Sequence, residues 1–486
     1  MTSPQPKQTP EPSDSSQSSP QPEIEQSKIN GPPTKLPPLL VDTWWFGLTK
    51  RMPPELFKEL GERRSAQGFT AVQLVVGIPP EVGPANPNAA SDVGAAWQSN
   101  GTINHAYLAL ARQRIKTLND MGFTVIVYGG WGHQLDWIGV EAMRSWWQKI
   151  IETLDDLDVQ YCLGGELNLW IGSANKLLPD RSTNNLKDKK ILGAFNVPVI
   201  GPIFFRLARV VKRLIVDPLN QSLLNNNYVE QKQARIDGWS DILASVAQQT
   251  QRPIFAHPAP PETSHELVNN TALLAAVTVQ TGHDIGMKNR LWQWPLDVHT
   301  ESYIGSFGEG TNGAQNFINL EPWYEGILSQ FGSADQLYAY WATMLAGASA
   351  YCYGAHGIWN VGDGEFLAHW GRQTIAQAAA LETGDLLGAS HALFVKSGAH
   401  RWPNRPLPPG DSASTEAAAG ISAQSADGQL IELCKSNGKE YLAFYPEIAH
   451  ATAVRAGQYF VPLIGKFVEK QPISGPVVVV HFGKKP

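Results

Sequence analysis

The sequence predicts a (β/α)8 TIM barrel followed by a small antiparallel β-sandwich domain. Eight short apolar runs lie between residues 39 and 354, separated by stretches whose apolar residues recur at i, i+3 and i+4. After about residue 390 the helical spacing gives way to alternating apolar and polar residues punctuated by turn pairs. A doubly wound sheet is the weaker alternative. It would want a glycine-rich phosphate turn after an early strand, and DTWWFG (42–47) is not one.

In chain order, residues 1–38 come first, and 22 of these 38 positions are Pro, Ser or Gln. The large apolar residues here are only Met1, Ile24, Ile29 and Leu36, too few to offset the entropy of ordering, so a disordered tail is expected. The barrel is expected over 39–390, with strands at 39–42, 71–76, 123–128, 159–165, 253–257, 276–280, 316–321 and 349–354. Helical patterns between them include 54–68, 105–122 and 141–157, and Gly68 and Gly122 have the position of C-terminal caps leading into strands.

Residues 171–232 interrupt this rhythm as an insertion after the fourth strand. A helix is expected over 203–216, with Arg206, Arg209 and Arg213 near one face. Packing on the barrel mouth is the favoured reading; contact with a membrane surface is the second. The C-terminal domain is expected over 391–486, with hairpin turns at Asp427-Gly428 and Asn437-Gly438.

Composition narrows the class. Lys plus Arg number 38 against 44 Asp plus Glu, a net charge of −6, so no basic excess exists to bind nucleic acid. Three cysteines lie far apart without a CxxC pair, which fits a reducing compartment and argues against structural zinc. The first twelve residues lack the apolar core of a secretory signal, and no apolar run is long enough to span a bilayer. A cytoplasmic location is expected. Neither a metal nor a cofactor is expected, because no HxH follows the first strand and no HExxH occurs; no GxSxG elbow occurs either.

In such a barrel the chemistry sits at the C-terminal ends of the strands. Strand one ends in Asp42, with Trp44 just beyond it. Strand three ends in Tyr128, and GGWGHQ behind it supplies Trp131 and His133. Strand four runs into GGELN, giving Glu166 and Asn168. Strand five ends in His257, and strand six in QTGH with Gln280 and His283. Strand seven ends in Glu321 with Tyr324 and Glu325 after it; strand eight leads into YGAHGIW with Tyr353, His356 and Trp359. Two carboxylates from opposed strands, Glu166 and Glu321, suit glycoside hydrolysis, one as acid and one as nucleophile or base. Trp131, Trp170, Trp323 and Trp359 offer flat faces to a sugar ring, and the other polar residues can hydrogen-bond its hydroxyls.

At these residues the chain resembles the apiosidase-like glycoside hydrolases, glycoside hydrolase family 140 and its relatives. DTWW, QGFTAVQL, YGGWG, GGELN, HP at 257–258, QTGH, LEPWYEG and YWATMLAGASAYCYGAHGIW carry the resemblance in order over residues 39–390. The resemblance implies a retaining glycosidase with Glu321 as nucleophile and Glu166 as acid/base. Relatives commonly have aspartate at the latter point, so Glu166 departs from the pattern, and apiose specificity is not carried over. A carbohydrate-binding or scaffold protein on the same barrel is the second reading.

Overall fold

The structure is a computed structural model that describes residues 37–171, 217–300, 316–407 and 419–482, together with Leu207 and Val210. Eight parallel strands form its first sheet: β1 (Leu39–Trp44), β2 (Ala71–Val75), β3 (Thr124–Tyr128), β4 (Val159–Cys162), β5 (Ile254–Phe255), β6 (Val277–Gln280), β7 (Phe317–Glu321) and β8 (Ala350–Tyr353). Their order is β5-β4-β3-β2-β1-β8-β7-β6. Between the two end strands, Ala275 N donates to Ile254 O at 2.9 Å and Thr278 Oγ1 donates to Ala256 O, which draws the sheet round into a ring. All eight expected runs are strands. Nearly every strand residue is buried, as a parallel sheet covered on both faces requires.

The helices of more than five residues among those described are α1 (Pro54–Ala66), α2 (His105–Asp120), α3 (Leu135–Leu154), α4 (Asp217–Gln249), α5 (Arg290–Val298), α6 (Ser333–Leu345) and α7 (Thr383–Ser397). Gly68 and Gly122 follow α1 and α2 with φ of +86° and +91°, the left-handed step that turns each helix into the next strand. Asn104 caps α2 by accepting from Tyr107 N at 3.3 Å. Between β5 and β6 the chain makes only single-turn 3-10 helices, at Ser264–Glu266 and Thr271–Leu273. Helix α4 begins inside the expected insertion. The expected helix over 203–216 lies outside the described residues apart from Leu207 and Val210, which are helical and exposed. The expected tail likewise lies outside them, save for Pro37 and Pro38.

The second sheet is antiparallel: β9 (Ala419–Ala426), β10 (Gln429–Asn437), β11 (Tyr441–Tyr445), β12 (Gln458–Val461), β13 (Lys466–Val468) and β14 (Val477–His481), in the order β13-β12-β14-β11-β10-β9. Asp427 and Gly428 both take positive φ, +49° and +74°, as the hairpin turn demands. Side chains alternate as a pleated strand dictates. Leu442, Phe444, Phe460, Val478 and Val480 join the barrel core, while Tyr441, Ala443, Tyr445, Val477 and Val479 form a second cluster capped by Ile448. The barrel-facing side lies on α6, where Tyr338 meets Phe444 at 6.1 Å and Trp341 meets Phe460 at 6.2 Å between ring centroids. Covered on both flanks, α6 is buried at every position from Gln336 to Leu345. Among the described residues no helix is long and apolar enough to cross a membrane.

Candidate active site

Past its last paired residue, β4 continues through Leu163, Gly164 and Gly165 to Glu166. Glycine is required at 165 because a Cβ there would meet the Trp131 ring at 2.4 Å. The Trp131 ring therefore lies across the end of β4, and its Nε1 donates to Glu166 Oε2 at 2.9 Å. Glu166 itself has φ of +48°, a strained conformation for a residue with a Cβ. From β6, Gln280 Nε2 donates to the other oxygen, Oε1, at 3.2 Å. Burial is the largest influence on this carboxyl and the charge of Glu321 the second; together they lift its pKa to about 7 against the donors Trp131 and Gln280.

Glu321 ends β7 beside Gln280 in the ladder. His283 Nδ1 accepts from Tyr324 N at 3.3 Å, which leaves Nε2 as the protonated nitrogen of a neutral ring. That Nε2 lies 3.1 Å from Glu321 Oε1 and donates to it. The second oxygen, Oε2, is buried with no hydrogen bond from the described residues. His257 Nε2 stands 3.9 Å from Oε2, but burial lowers the pKa of His257 to about 4 and keeps it uncharged at neutral pH.

Both carboxyl groups open into one cavity of about 410 Å³. Of the residues expected at the site, Glu166, Glu321, Trp131, Gln280, His283, Tyr324 and Trp359 line it. Buried Gln280 Oε1 and Trp359 Nε1 make no hydrogen bond among the described residues, which leaves both open to a ligand. Tyr128 and His257 lie beneath the cavity instead. The Tyr128 ring packs edge-on to His257 and Trp45, and its hydroxyl donates to Gln73 Oε1 at 3.1 Å in the barrel interior.

Seven expected residues are placed elsewhere. Asp42 and Trp44 have the outward parity of β1: Trp44 packs on Phe57 of α1 and donates to Asp42 at 2.8 Å, and Arg64 pairs with Asp42 at 2.6 Å. Tyr353 is outward too, donating to Glu325 Oε2 at 2.6 Å. Asn168 holds the 259–262 loop, accepting from Ala259 N at 2.6 Å and donating to Ala259 O at 2.9 Å. His133 is wedged between Trp137 and Trp170, and His356 is buried against Trp359. Trp323 stacks on Phe331 in the core.

Among the lining residues that escaped the sequence reading, Trp45, Glu81 and Trp370 have side chains able to stack on or bond a sugar. Strand parity could have found Trp45, since Trp44 points away and its neighbour must point in. Glu81 and Trp370 stand in aperiodic loops after β2 and β8 and carry no comparable signal. Among the described residues no cluster of His, Cys, Asp or Glu forms a metal site.

A barrel with two carboxyl groups at opposed strand ends and tryptophan faces around them has the architecture of a glycoside hydrolase. The family model of the apiosidase-like catalytic domain matches residues 38–384, and the chain belongs to that family. A structure described as a glycoside hydrolase is similar at a TM-score of 0.61 and 12% identity, covering 92% of this chain and 93% of that one. A glycoside hydrolase family 5 protein from Bacteroides vulgatus ATCC 8482 is similar at 0.58 and 12% identity, covering 91% and 89%. These likenesses speak for the fold. No curated protein matches the chain.

Proposed function

We propose that this protein is a retaining glycosidase in which Glu321 is the nucleophile and Glu166 the acid/base. The observation that carries the reading is the difference between the two carboxyls inside one cavity. Glu166 is held near a pKa of about 7, so much of it is protonated at neutral pH, while Glu321 receives the His283 N–H on one oxygen and has its other oxygen free.

In the first step Glu321 Oε2 attacks the anomeric carbon as Glu166 gives its proton to the glycosidic oxygen. The C–O bond breaks, an alcohol leaves, and a glycosyl ester of Glu321 forms. Esterification removes the negative charge that helps to hold the Glu166 pKa up, so Glu166 becomes the better base. It then takes a proton from water, the hydroxide oxygen attacks the anomeric carbon, and the Glu321 carboxylate departs. His283 positions Oε1 throughout, and neutral His257 adds no charge beneath the site.

The test is the anomer first released from an aryl glycoside, followed by proton NMR before mutarotation. Retained configuration is expected, and inverted configuration would remove the nucleophile role from Glu321. Hydrolysis should favour substrates with good leaving groups least in wild type and most in Glu166→Gln, since only poor leaving groups need the proton.

A further inference from the structure

A third carboxyl group enters the same cavity, and the catalytic steps do not use it. Glu81 stands in the loop after β2 with φ of +68°, a strained setting that persists only where the surroundings hold it. Trp370, from the loop after β8, donates Nε1 to Glu81 Oε1 at 3.3 Å, and His369 Nε2 lies 3.9 Å from Oε2. No arginine or lysine side chain lines the cavity among the described residues. Two loops thus converge to place a carboxylate beside an indole that also lines the cavity.

We propose that Glu81 selects the substrate by charge, so that the sugar filling the cavity is neutral or carries an amino group and an acidic sugar is refused. This rests on the glycosidase reading and narrows its substrate class. Hydroxyl or ammonium groups can donate to the Glu81 oxygens while the ring lies against tryptophan. A uronate would instead bring a negative charge beside Glu81 and Glu321 in a site whose walls screen it poorly. Glu81 also raises the Glu166 pKa, in the same sense as Glu321.

Titration of tryptophan fluorescence with the methyl glycosides of a neutral hexose, its 2-amino analogue and its uronic acid tests the idea without requiring turnover. Wild type should bind the uronide at least about tenfold more weakly than the neutral sugar. Glu81→Gln should narrow that gap and Glu81→Lys should reverse it, with an unchanged circular dichroism spectrum and thermal midpoint as the sign of an intact fold. Equal binding of uronide and neutral sugar by wild type, binding of none of the three, or a ratio unchanged in both variants overturns the proposal. Hydrolysis of the matching 4-nitrophenyl glycosides separates the two readings. Discrimination in binding without any hydrolysis keeps the charge selection and removes the glycosidase; hydrolysis of the uronide as fast as the neutral glycoside does the reverse.

Discussion

Two pairs of carboxyl groups are buried or half-buried in this barrel, and their surroundings differ. Outside the strands, Asp42 and Glu325 sit with Arg64. Asp42 takes bonds from Arg64 at 2.6 Å, from Trp44 at 2.8 Å and from Thr43 N at 3.0 Å. Glu325 takes them from Tyr353 at 2.6 Å and from Thr383 at 2.7 Å. Inside the cavity, Glu166 and Glu321 have no such cation among the described residues, one oxygen has no hydrogen bond from them, and the charge of one acid disfavours the charge of the other. Burial therefore says little by itself. What separates the two pairs is whether their charge has been answered.

Removing the bare oxygen should have the largest effect. Glu321→Gln is expected to lower turnover about 10⁴-fold or more with the fold intact, read by burst-free kinetics beside circular dichroism. A variant that keeps a tenth of the activity would place the nucleophile elsewhere.

Breaking the answered pair should instead harm stability. Arg64→Met leaves Asp42 buried without its cation and is expected to cost about 3–5 kcal/mol in urea unfolding. Arg64→Met combined with Asp42→Asn should recover part of it. A loss under about 1 kcal/mol would mean that the two clusters do not differ as described.

The pH dependence sharpens the contrast from the other side. The Glu166 pKa rises on folding from 4.5 to about 7, so its contribution is fully present below 4.5 and is lost as pH rises through 7. Glu166→Gln should thus be more stable than wild type at pH 8, by about 3 kcal/mol, and no more stable at pH 4. With Glu166 in the proposed acid role, the wild-type kcat/KM should fall above pH about 7 as Glu166 loses its proton. A thermal-shift comparison that shows the same gap at both pH values would refute the raised pKa.

Smallest should be His283→Gln, which weakens one hydrogen bond to Glu321. A loss of about ten- to a hundredfold in kcat, with little change in KM, is expected. No change in kcat would show that the bond does not position Glu321.

The strands were legible because an apolar run between two amphipathic stretches has few other fates, and Gly68 and Gly122 mark where helix becomes strand. Glu166, Gln280, His283 and Glu321 were legible because strand ends locate the reactive face of a barrel. Asp42, Trp44 and Tyr353 were misread toward the cavity because being near a strand end says nothing of which side a residue faces; one residue of parity exchanges Trp44 for Trp45. Glu81 and Trp370 were hidden for another reason. Loops follow no period, and eight of the nine non-glycine residues with positive φ among those described, Glu81 and Glu166 included, lie in loops after β2, β4, β7 and β8.

Helix α6 has a consequence for the order in which this protein is made. It is buried on the side away from the barrel as well as toward it, and the second sheet packs on that side. All eight barrel strands have left the ribosome once Tyr353 has, but Phe444 and Phe460 have not. At about 5–20 residues per second the nascent barrel waits on the order of ten seconds for the sheet that packs on Tyr338 and Trp341. Chaperones would meet the chain there, and a chain ended before residue 419 would never cover them.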